Sequence, residues 1–352
     1  MWQLSRYPTG VGDRVVEAEQ LYLGWTQCLA YSNRALKNLS TGEVIFRGNV
    51  DDCSLSRDYC AIVQLGKCRV VGLFDDFSVN IPLVDSVRQV AMLECMRIAL
   101  RTDTDVLIYD FNTKSVLKSW PVQCSRIAAG FDHVIALTSD EKTVLCWGDG
   151  SRGQQGSGEL ARSDELTPVD ALEEVAVVEI AAGGWHSTAL SERGLVYQWG
   201  WNQHGQVEGP PPLDEPQRQP GSKAAGSKPN VVASPTLLQV SDKRVAAVAC
   251  GSRHSLAIDE TGQIRAWGWN DYGQCDVGNI DCQQKTSSTL FDAVAAADSS
   301  TSRLGSADGK KSAFPKMMAN RQTAGEDQVM KPSLIHSIRA AFWTSAVQYS
   351  PE

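Results

Sequence analysis

Short runs in which apolar and polar positions alternate recur through the middle of the chain. In one run His186, Thr188 and Leu190 alternate with two smaller residues, and a glycine turn separates this run from a second one at residues 195–199. A period of two predicts β-strands, and a glycine turn between two such runs predicts a hairpin. The pattern therefore predicts short antiparallel strands rather than helices.

The same hairpin pattern is written three times, over residues 127–154, 180–206 and 248–274. Each copy contains Gly-x-x-His, and Trp-Gly and then Gly-Gln follow the histidine. The spacing between copies leaves room for two further strands in each, and four strands per unit are typical of a β-propeller blade. Since a lone blade cannot bury its faces, we expect the blades to pack on one another.

Residues that recur at fixed positions in every copy are expected to serve the repeated structure rather than catalysis or metal binding. The histidines are expected to bond the backbone, the glycines to allow close approach of the backbone, and the tryptophans to fill the space between sheets. These residues are Gly130, His133, Trp147, Gly148, Gly183, His186, Trp199, Gly200, Gly251, His254, Trp267 and Gly268.

Weaker copies of the pattern extend toward both ends of the chain. The last copy, near residues 338–347, stops where its Trp-Gly half would begin, and residues 1–3 begin about where that half would start. Pairing of the two ends in one shared blade would remove exposed sheet edges. We therefore predict an all-β, seven-bladed propeller that forms one domain over residues 1–352.

Two segments interrupt the repeats. Residues 209–235 are rich in Pro, Gly, Ser and Lys, and residues 276–335 are rich in Ser, Ala, Asp, Lys and Gln with few large apolar side chains. Such compositions predict long loops, and for the second segment a lack of order. A tolerated surface insertion is the favoured interpretation, and a tethered arm for a partner is the alternative.

Composition narrows the classes of function. The formal net charge of −8 disfavours direct DNA binding, which is driven by neutralisation of phosphates. Ten cysteines without a Cys-x-x-Cys pair disfavour structural zinc and suit a reducing compartment, and no apolar run of membrane length or secretory h-region is visible. Because the sequence has no phosphate-cradling or metalloprotease motif, we expect no cofactor, no metal and no enzymatic activity. We expect the protein to reside in the nucleus or the cytoplasm.

Gly-x-x-His followed by Trp-Gly resembles the repeat of the regulator of chromosome condensation (RCC) family. The matches at 183–187, 199–202 and 250–254 are similar to its small single-propeller branch. This resemblance implies a seven-bladed, monomeric propeller that acts as a chromatin adaptor in chromosome segregation. Its implied partner is a Jumonji-C histone-modifying oxygenase or a histone.

Two other functions exist within the same family. Guanine-nucleotide exchange on a Ran-like GTPase is the main alternative, although we can match no wedge residue and no basic N-terminal arm. An ultraviolet receptor with clustered Trp and Arg is a third, although its Gly-Trp-Arg-His motif is absent from this sequence.

The residue type just before each histidine differs between copies, whereas the backbone geometry at that position is expected to be the same in every copy. The resemblance implies that this position faces one side of the propeller, and Trp and Arg are enriched at binding hot spots. We predict a partner-binding arc of Trp25, Trp185, Arg253 and Trp343, with Arg57 as a further candidate; partly buried packing is the alternative. Around the ring the position holds Trp25, Arg57, Cys95, Asp132, Trp185, Arg253 and Trp343.

Overall fold

The structure is a computed structural model, and it describes most of the repeat region. The described residues are 2–5, 14–24, 27–83, 85–139, 143–210, 229–271, 274–275, 335–341 and 344–349. Trp25, Trp343 and the greater part of both predicted insertions, at 211–228 and 276–334, lie outside the described residues.

The described chain is built from short β-strands, as the alternating pattern predicts. Those of the first half are β1 (Trp2–Ser5), β2 (Arg14–Val16), β3 (Gln20–Leu23), β4 (Cys28–Ser32), β5 (Ala35–Asn38), β6 (Val44–Arg47), β7 (Asp52–Leu55), β8 (Tyr59–Gln64), β9 (Lys67–Gly72), β10 (Ser78–Asn80), β11 (Val87–Met92), β12 (Arg97–Thr102), β13 (Val106–Asp110) and β14 (Ser115–Trp120). Those of the second half are β15 (Cys124–Ala129), β16 (His133–Thr138), β17 (Val144–Gly148), β18 (Ser163–Pro168), β19 (Val177–Ala182), β20 (His186–Ser191), β21 (Val196–Trp201), β22 (Val231–Leu238), β23 (Val245–Cys250), β24 (His254–Asp259), β25 (Ile264–Gly268), β26 (Ile335–Ala341) and β27 (Thr344–Tyr349).

These strands form antiparallel sheets of consecutive strands, with one exception that joins the two ends of the described chain. The sheets are β3–β6, β7–β10, β11–β14, β15–β18, β19–β22 and β23–β25, together with a sheet ordered β2-β1-β27-β26. In the last sheet β1 pairs with β27 so that Trp2 lies opposite Gln348 and Ser5 opposite Ser345.

The all-β propeller class is confirmed, whereas seven complete four-stranded blades are not found among the described residues. Six sheets have four strands, whereas the sheet β23–β25 has three among the described residues. After β25 the chain continues into the second insertion, most of which lies outside the described residues. No fourth strand is therefore assigned to this sheet.

Burial within a sheet depends on the position of the strand. The second strands β20 and β24 are buried along their whole length, because both of their faces pack against neighbouring sheets. The outermost strands are the most exposed, as in β14. The single helical turn among the described residues is a 3₁₀ turn at Asp170–Leu172, and no described helix is long and apolar enough to cross a membrane.

Neighbouring sheets share apolar clusters, and their first strands surround one small cavity. Leu4 of β1 packs with Leu21 of β3, and Leu256 of β24 packs with Ile338 of β26. The cavity holds about 170 Å³, less than the roughly 300 Å³ of a usual small-molecule pocket, so it is not a candidate ligand site. Its lining includes Leu23, Ser54, Met92, Ala129, Ala182, Cys250 and Ala340.

Candidate functional site

The repeated histidines join neighbouring sheets through a buried relay. His133 Nε2 lies 3.0 Å from Ser187 Oγ on the next sheet, and His186 Nε2 lies 3.0 Å from Ser255 Oγ on the one after. Ser187 Oγ in turn donates to the backbone carbonyl of Gln154 at 2.9 Å. In each relay, a serine of the next sheet bonds both the histidine and a glutamine carbonyl in a loop of the histidine's own sheet.

The relay determines which histidine nitrogen carries the proton. Since the Ser187 hydroxyl donates to Gln154, it can accept only from a protonated His133 Nε2. His133 Nδ1 and His186 Nδ1 are buried without a hydrogen-bond partner among the described residues. A second proton there would be a buried, unsolvated charge, and burial lowers the pKa of His133 to about 4 and of His186 to about 3. Burial also lowers the pKa of His254 to about 3.

In the first two strong copies the glutamine of the Gly-Gln pair bonds two neighbours at once. The Gln154 side chain accepts from the backbone N–H of Arg152 at 2.9 Å, and Gln206 does the same for His204 at 2.9 Å. The Gln154 backbone carbonyl also accepts from Trp199 Nε1 at 2.9 Å, and that tryptophan is fully buried. The glutamine thus fixes its own loop and holds the tryptophan of the next sheet.

Five of the repeated glycines, at 130, 148, 183, 200 and 268, lie where a side chain would collide with a backbone carbonyl. A Cβ on Gly183 would lie 2.4 Å from the Gly251 carbonyl oxygen, and Gly130 faces Gly183 in the same way. Gly200, which follows a repeated tryptophan, has φ of +110°, a conformation that favours glycine, and it faces the Trp185 carbonyl. This close approach draws the loop before each histidine against the loop after each Trp-Gly.

Backbone hydrogen bonds pair these two loops in each strong copy. Trp201 N donates to the Trp185 carbonyl at 2.8 Å, and Trp269 N donates to the Arg253 carbonyl at 2.9 Å. The first strong copy has two acids in the equivalent places, with Asp149 N donating to the Asp132 carbonyl at 2.8 Å. Each copy therefore presents a matched pair of side chains beside the loop.

The two later pairs and two loop residues form a continuous group, here named the aromatic–arginine face: Arg152, Trp185, Trp201, His204, Arg253 and Trp269. The Trp185 and Trp201 rings meet edge to face at 5.1 Å between centroids. His204 lies 5.4 Å from the Trp201 ring and 5.7 Å from the Trp269 ring. Trp185, Trp201, Arg152 and Arg253 are all half-buried, so each keeps exposed surface.

Both arginines of this face stack on indole rings. The Arg152 guanidinium carbon lies 4.3 Å from the Trp185 centroid, and that of Arg253 lies 5.2 Å from the Trp269 centroid. Stacking of this kind is favourable because the ring face carries negative electrostatic potential. The arrangement can present cationic groups on an aromatic floor, and it contains no acid–base pair suited to catalysis.

The structure brings together two of the residues predicted for the partner-binding arc. Arg253 lies 5.7 Å above the Trp185 ring, whereas Trp25 and Trp343 lie outside the described residues. Arg57 belongs to the loop between β7 and β8, where it is exposed and 3.9 Å from Asp58. The role of these residues in binding stays a prediction.

Sequence reasoning missed Arg152, Trp201, His204 and Trp269. A signal existed, because Arg152 and His204 each lie five residues after a repeated tryptophan and differ between copies. Trp201 and Trp269 lie two residues after those tryptophans. Neither offset indicates that the loop after a repeated tryptophan reaches the next sheet. The grouping of these four residues around Trp185 could therefore not be inferred from the sequence.

Within the described part of the chain no group of three or more His, Cys, Asp or Glu side chains is placed to hold a metal ion. His133 and His186 are held by serines of the neighbouring sheets. The candidate site is the aromatic–arginine face, which offers indole rings and positive charge at the surface.

Comparison with known protein families assigns the repeats. A family model described as regulator of chromosome condensation (RCC1) repeat matches residues 124–154, 177–206 and 245–274, and a second with that description matches 142–190 and 193–258. The chain carries RCC1 repeats. The resemblance inferred from Gly-x-x-His and Trp-Gly is confirmed.

Curated relatives of this RCC1-repeat chain match it over less than half its length. RCC1 domain-containing protein 1 of Mus musculus is 34% identical over 42% of this chain and 45% of its own length, and the Homo sapiens protein is 33% identical over 44% and 46%. The Arabidopsis thaliana ultraviolet-B receptor UVR8 is 28% identical over 46% of this chain and 32% of its own. The matched region thus spans under half the length of each relative.

Solved structures share the fold over much more of the RCC1-repeat chain. Prp20p from Saccharomyces cerevisiae, described with its binding to Gsp1p and histones, has a TM-score of 0.62 and 18% identity over 93% of this chain and 81% of its own. Yeast RCC1 (Prp20) bound to Kap60 has a TM-score of 0.61 and 17% identity over 94% and 80%. At this identity the likeness concerns the fold alone.

Proposed function

We propose that this chain is a protein-interaction propeller that acts as a chromatin-associated adaptor in the nucleus and has no catalytic step of its own. Its partner would be a Jumonji-C histone-modifying oxygenase or a histone, and it would dock on the aromatic–arginine face. The observation that carries the proposal is the grouping of half-buried Trp185 and Trp201 with stacked Arg152 and Arg253. Trp and Arg are enriched in binding hot spots, and half-buried side chains are already ordered before a partner arrives.

The scaffold proposed for this role is a closed ring of seven sheets. In this proposal β23–β25 is one member of the ring, and the pairing of β1 with β27 closes it. Support comes from the apolar clusters that join the shared sheet to its two neighbours, Leu4 with Leu21 and Ile338 with Leu256. A closed ring would hold the face rigid, because each loop is bonded to the sheet beside it.

The descriptions of the matching family and of a similar solved structure support a role at chromatin. The matching family is described by chromosome condensation, and the Prp20p structure is described with histone binding. Prp20p is also described as binding Gsp1p, which keeps exchange on a Ran-like GTPase as the second candidate. A nucleotide-release assay on a Ran-like GTPase distinguishes that candidate from an adaptor.

Replacing Trp185 and Arg253 together with alanine is expected to abolish partner binding while the protein stays folded. The pair contributes stacking to the face, and loss of such ring contacts costs about 0.5–1.5 kcal/mol each beyond buried area, a small part of the stability of a large domain. The measurement is co-purification of the Jumonji-C oxygenase and of histones, quantified alongside the melting temperature.

A matched control is available on an outer strand. Trp120 and Lys118 of β14 are likewise an indole and a cation, and both bind Glu165, at 3.0 and 3.3 Å. The Trp120→Ala/Lys118→Ala protein should retain the partner. Equal binding by the two double variants, or unfolding of the Trp185/Arg253 variant, would sink the proposal.

A further inference from the structure

The aromatic–arginine face concentrates positive charge in a chain of net negative charge. Besides its contact with Trp185, the Arg152 guanidinium carbon lies 5.2 Å from the Trp201 centroid, and that of Arg253 lies 5.7 and 5.4 Å from the same two rings. Two cations held around one pair of rings repel each other, although each is attracted to the rings. An anion bound beside both would remove that repulsion.

Two acidic side chains of the first strong copy, Asp132 and Asp149, already have partners of their own. Asp132 forms an ion pair with Arg97 at 2.7 Å. Asp149 accepts from the Ser151 hydroxyl at 2.8 Å and from Gln154 Nε2 at 3.2 Å. Neither carboxylate forms an ion pair with Arg152, although the Arg152 charge acts on Asp149 and helps to lower the pKa of that carboxyl.

The Arg152 side chain is half-buried and forms no hydrogen bond or ion pair among the described residues. Its Nη1 is buried without an acceptor, so a partner would meet the exposed part of the guanidinium rather than this atom. The guanidinium lies over the Trp185 ring, and its exposed edge is the part that an acceptor can reach. That edge matches a carboxylate, which can accept two parallel hydrogen bonds from it.

We propose that the aromatic–arginine face binds an acidic segment of a partner protein. A carboxylate of the segment would lie on the exposed edge of Arg152, beside the positive charge of Arg253, and apolar atoms of the segment would lie on Trp185 and Trp201. The inference rests on the proposed adaptor function and specifies the chemistry of the partner. Within that function it favours an acidic segment over a basic histone tail, which the two arginines would repel.

The test measures fluorescence anisotropy of labelled peptides with the full chain. Three short peptides of one design are compared: one with several glutamates and a single aromatic residue, one with glutamine at each glutamate position, and one with lysine there. The acidic peptide should bind saturably, with the glutamine peptide about tenfold weaker and the lysine peptide not binding. Raising NaCl from about 50 mM to about 500 mM should weaken the acidic peptide, since screening acts on exposed charges.

Variants locate the binding on the face. Arg152→Gln should weaken the acidic peptide about tenfold, and Arg152→Lys should give an intermediate loss because lysine keeps the charge without the planar edge. Arg69→Gln is the matched control, since it removes the same charge from an exposed position of β9 outside the face, where Arg69 Nε donates to Ser78 Oγ at 2.8 Å. Arg253→Gln supplies the second variant in case the Arg152 variants do not fold.

Each result decides the inference. Saturable binding that falls with Arg152→Gln and not with Arg69→Gln supports it. Equal losses in those two variants, equal binding of the glutamate and glutamine peptides, preference for lysine, or no binding at about 1 mM peptide overturns it. The oxygenase and histone experiment is separate, so failure of the proposed adaptor role is distinguishable from failure of acidic recognition.

Discussion

Replacing Trp199 with alanine is expected to lower the free energy of unfolding by about 3–5 kcal/mol. The side chain is fully buried in the cluster between β15–β18 and β19–β22, where it packs with Ile135 and Val177. Truncation would leave a cavity and would also remove a hydrogen bond to the Gln154 carbonyl. Urea unfolding followed by fluorescence and circular dichroism measures the change.

A paired phenylalanine experiment separates packing from hydrogen bonding. Trp147 is the equivalent buried residue of the preceding sheet, and its Nε1 has no hydrogen-bond partner among the described residues. Trp199→Phe should therefore cost about 1 kcal/mol more than Trp147→Phe, because only Trp199 donates to a neighbouring carbonyl. Equal costs for the two variants would show that the indole hydrogen bond contributes nothing.

Much of the fold could be predicted because each copy encodes its own hairpin. The alternation of His186, Thr188 and Leu190 predicts a strand, and the structure forms β20 there. The pairing of that hairpin places Ala189 opposite Tyr197, in the middle of the predicted pair of runs. Local patterning also predicts the shared sheet, in which the pattern near residues 338–347 forms parts of β26 and β27.

What the alternation could not indicate is that both faces of the strand are buried. Ser187 and Thr188 are buried as completely as Leu190, since sheets pack on either side. The polar side chains tolerate this position because each is bonded: Ser187 to Gln154, and Thr188 to Gln198 at 2.7 Å. A serine in a buried strand is thus a sign of a bond between sheets, which appears only once neighbours are known.

Only part of the aromatic–arginine face could be predicted, because the sequence of one copy does not show how neighbouring sheets meet. Trp185 and Arg253 occupy one repeated position, so their placement on the same side of neighbouring sheets follows from the repeat. Arg152 reaches Trp185 because the Gln154 side chain folds back on the Arg152 backbone and the Gln154 carbonyl binds the next sheet. That contact depends on the relation between two sheets, which spacing within one copy does not contain.

Acidification is expected to destabilise the propeller steeply between about pH 6.5 and pH 4.5. Burial lowers the pKa of His133, His186 and His254 to about 4, 3 and 3 from 6.5, so the unfolded chain binds protons that the folded chain excludes. Stability is therefore retained above pH 6.5 and lost as pH falls below it, by about 1.4 kcal/mol per histidine for each pH unit. At pH 5.5 the three histidines together should remove roughly 4 kcal/mol, which urea unfolding between pH 5 and 8 measures.

Removing one relay histidine tests whether these buried groups cause the acid lability. His186→Gln should reduce the slope by about one proton even though it lowers stability at every pH, because one group that titrates only when unfolded is gone. Carboxylates such as Asp149 do not account for the slope: although burial raises its pKa, hydrogen bonds from Ser151 and Gln154 and the charge of Arg152 hold that pKa below the usual value, so its loss of charge belongs to more acidic solutions. A slope that His186→Gln leaves intact would mean that the relay histidines are protonated in the folded state and that the assigned tautomer is wrong.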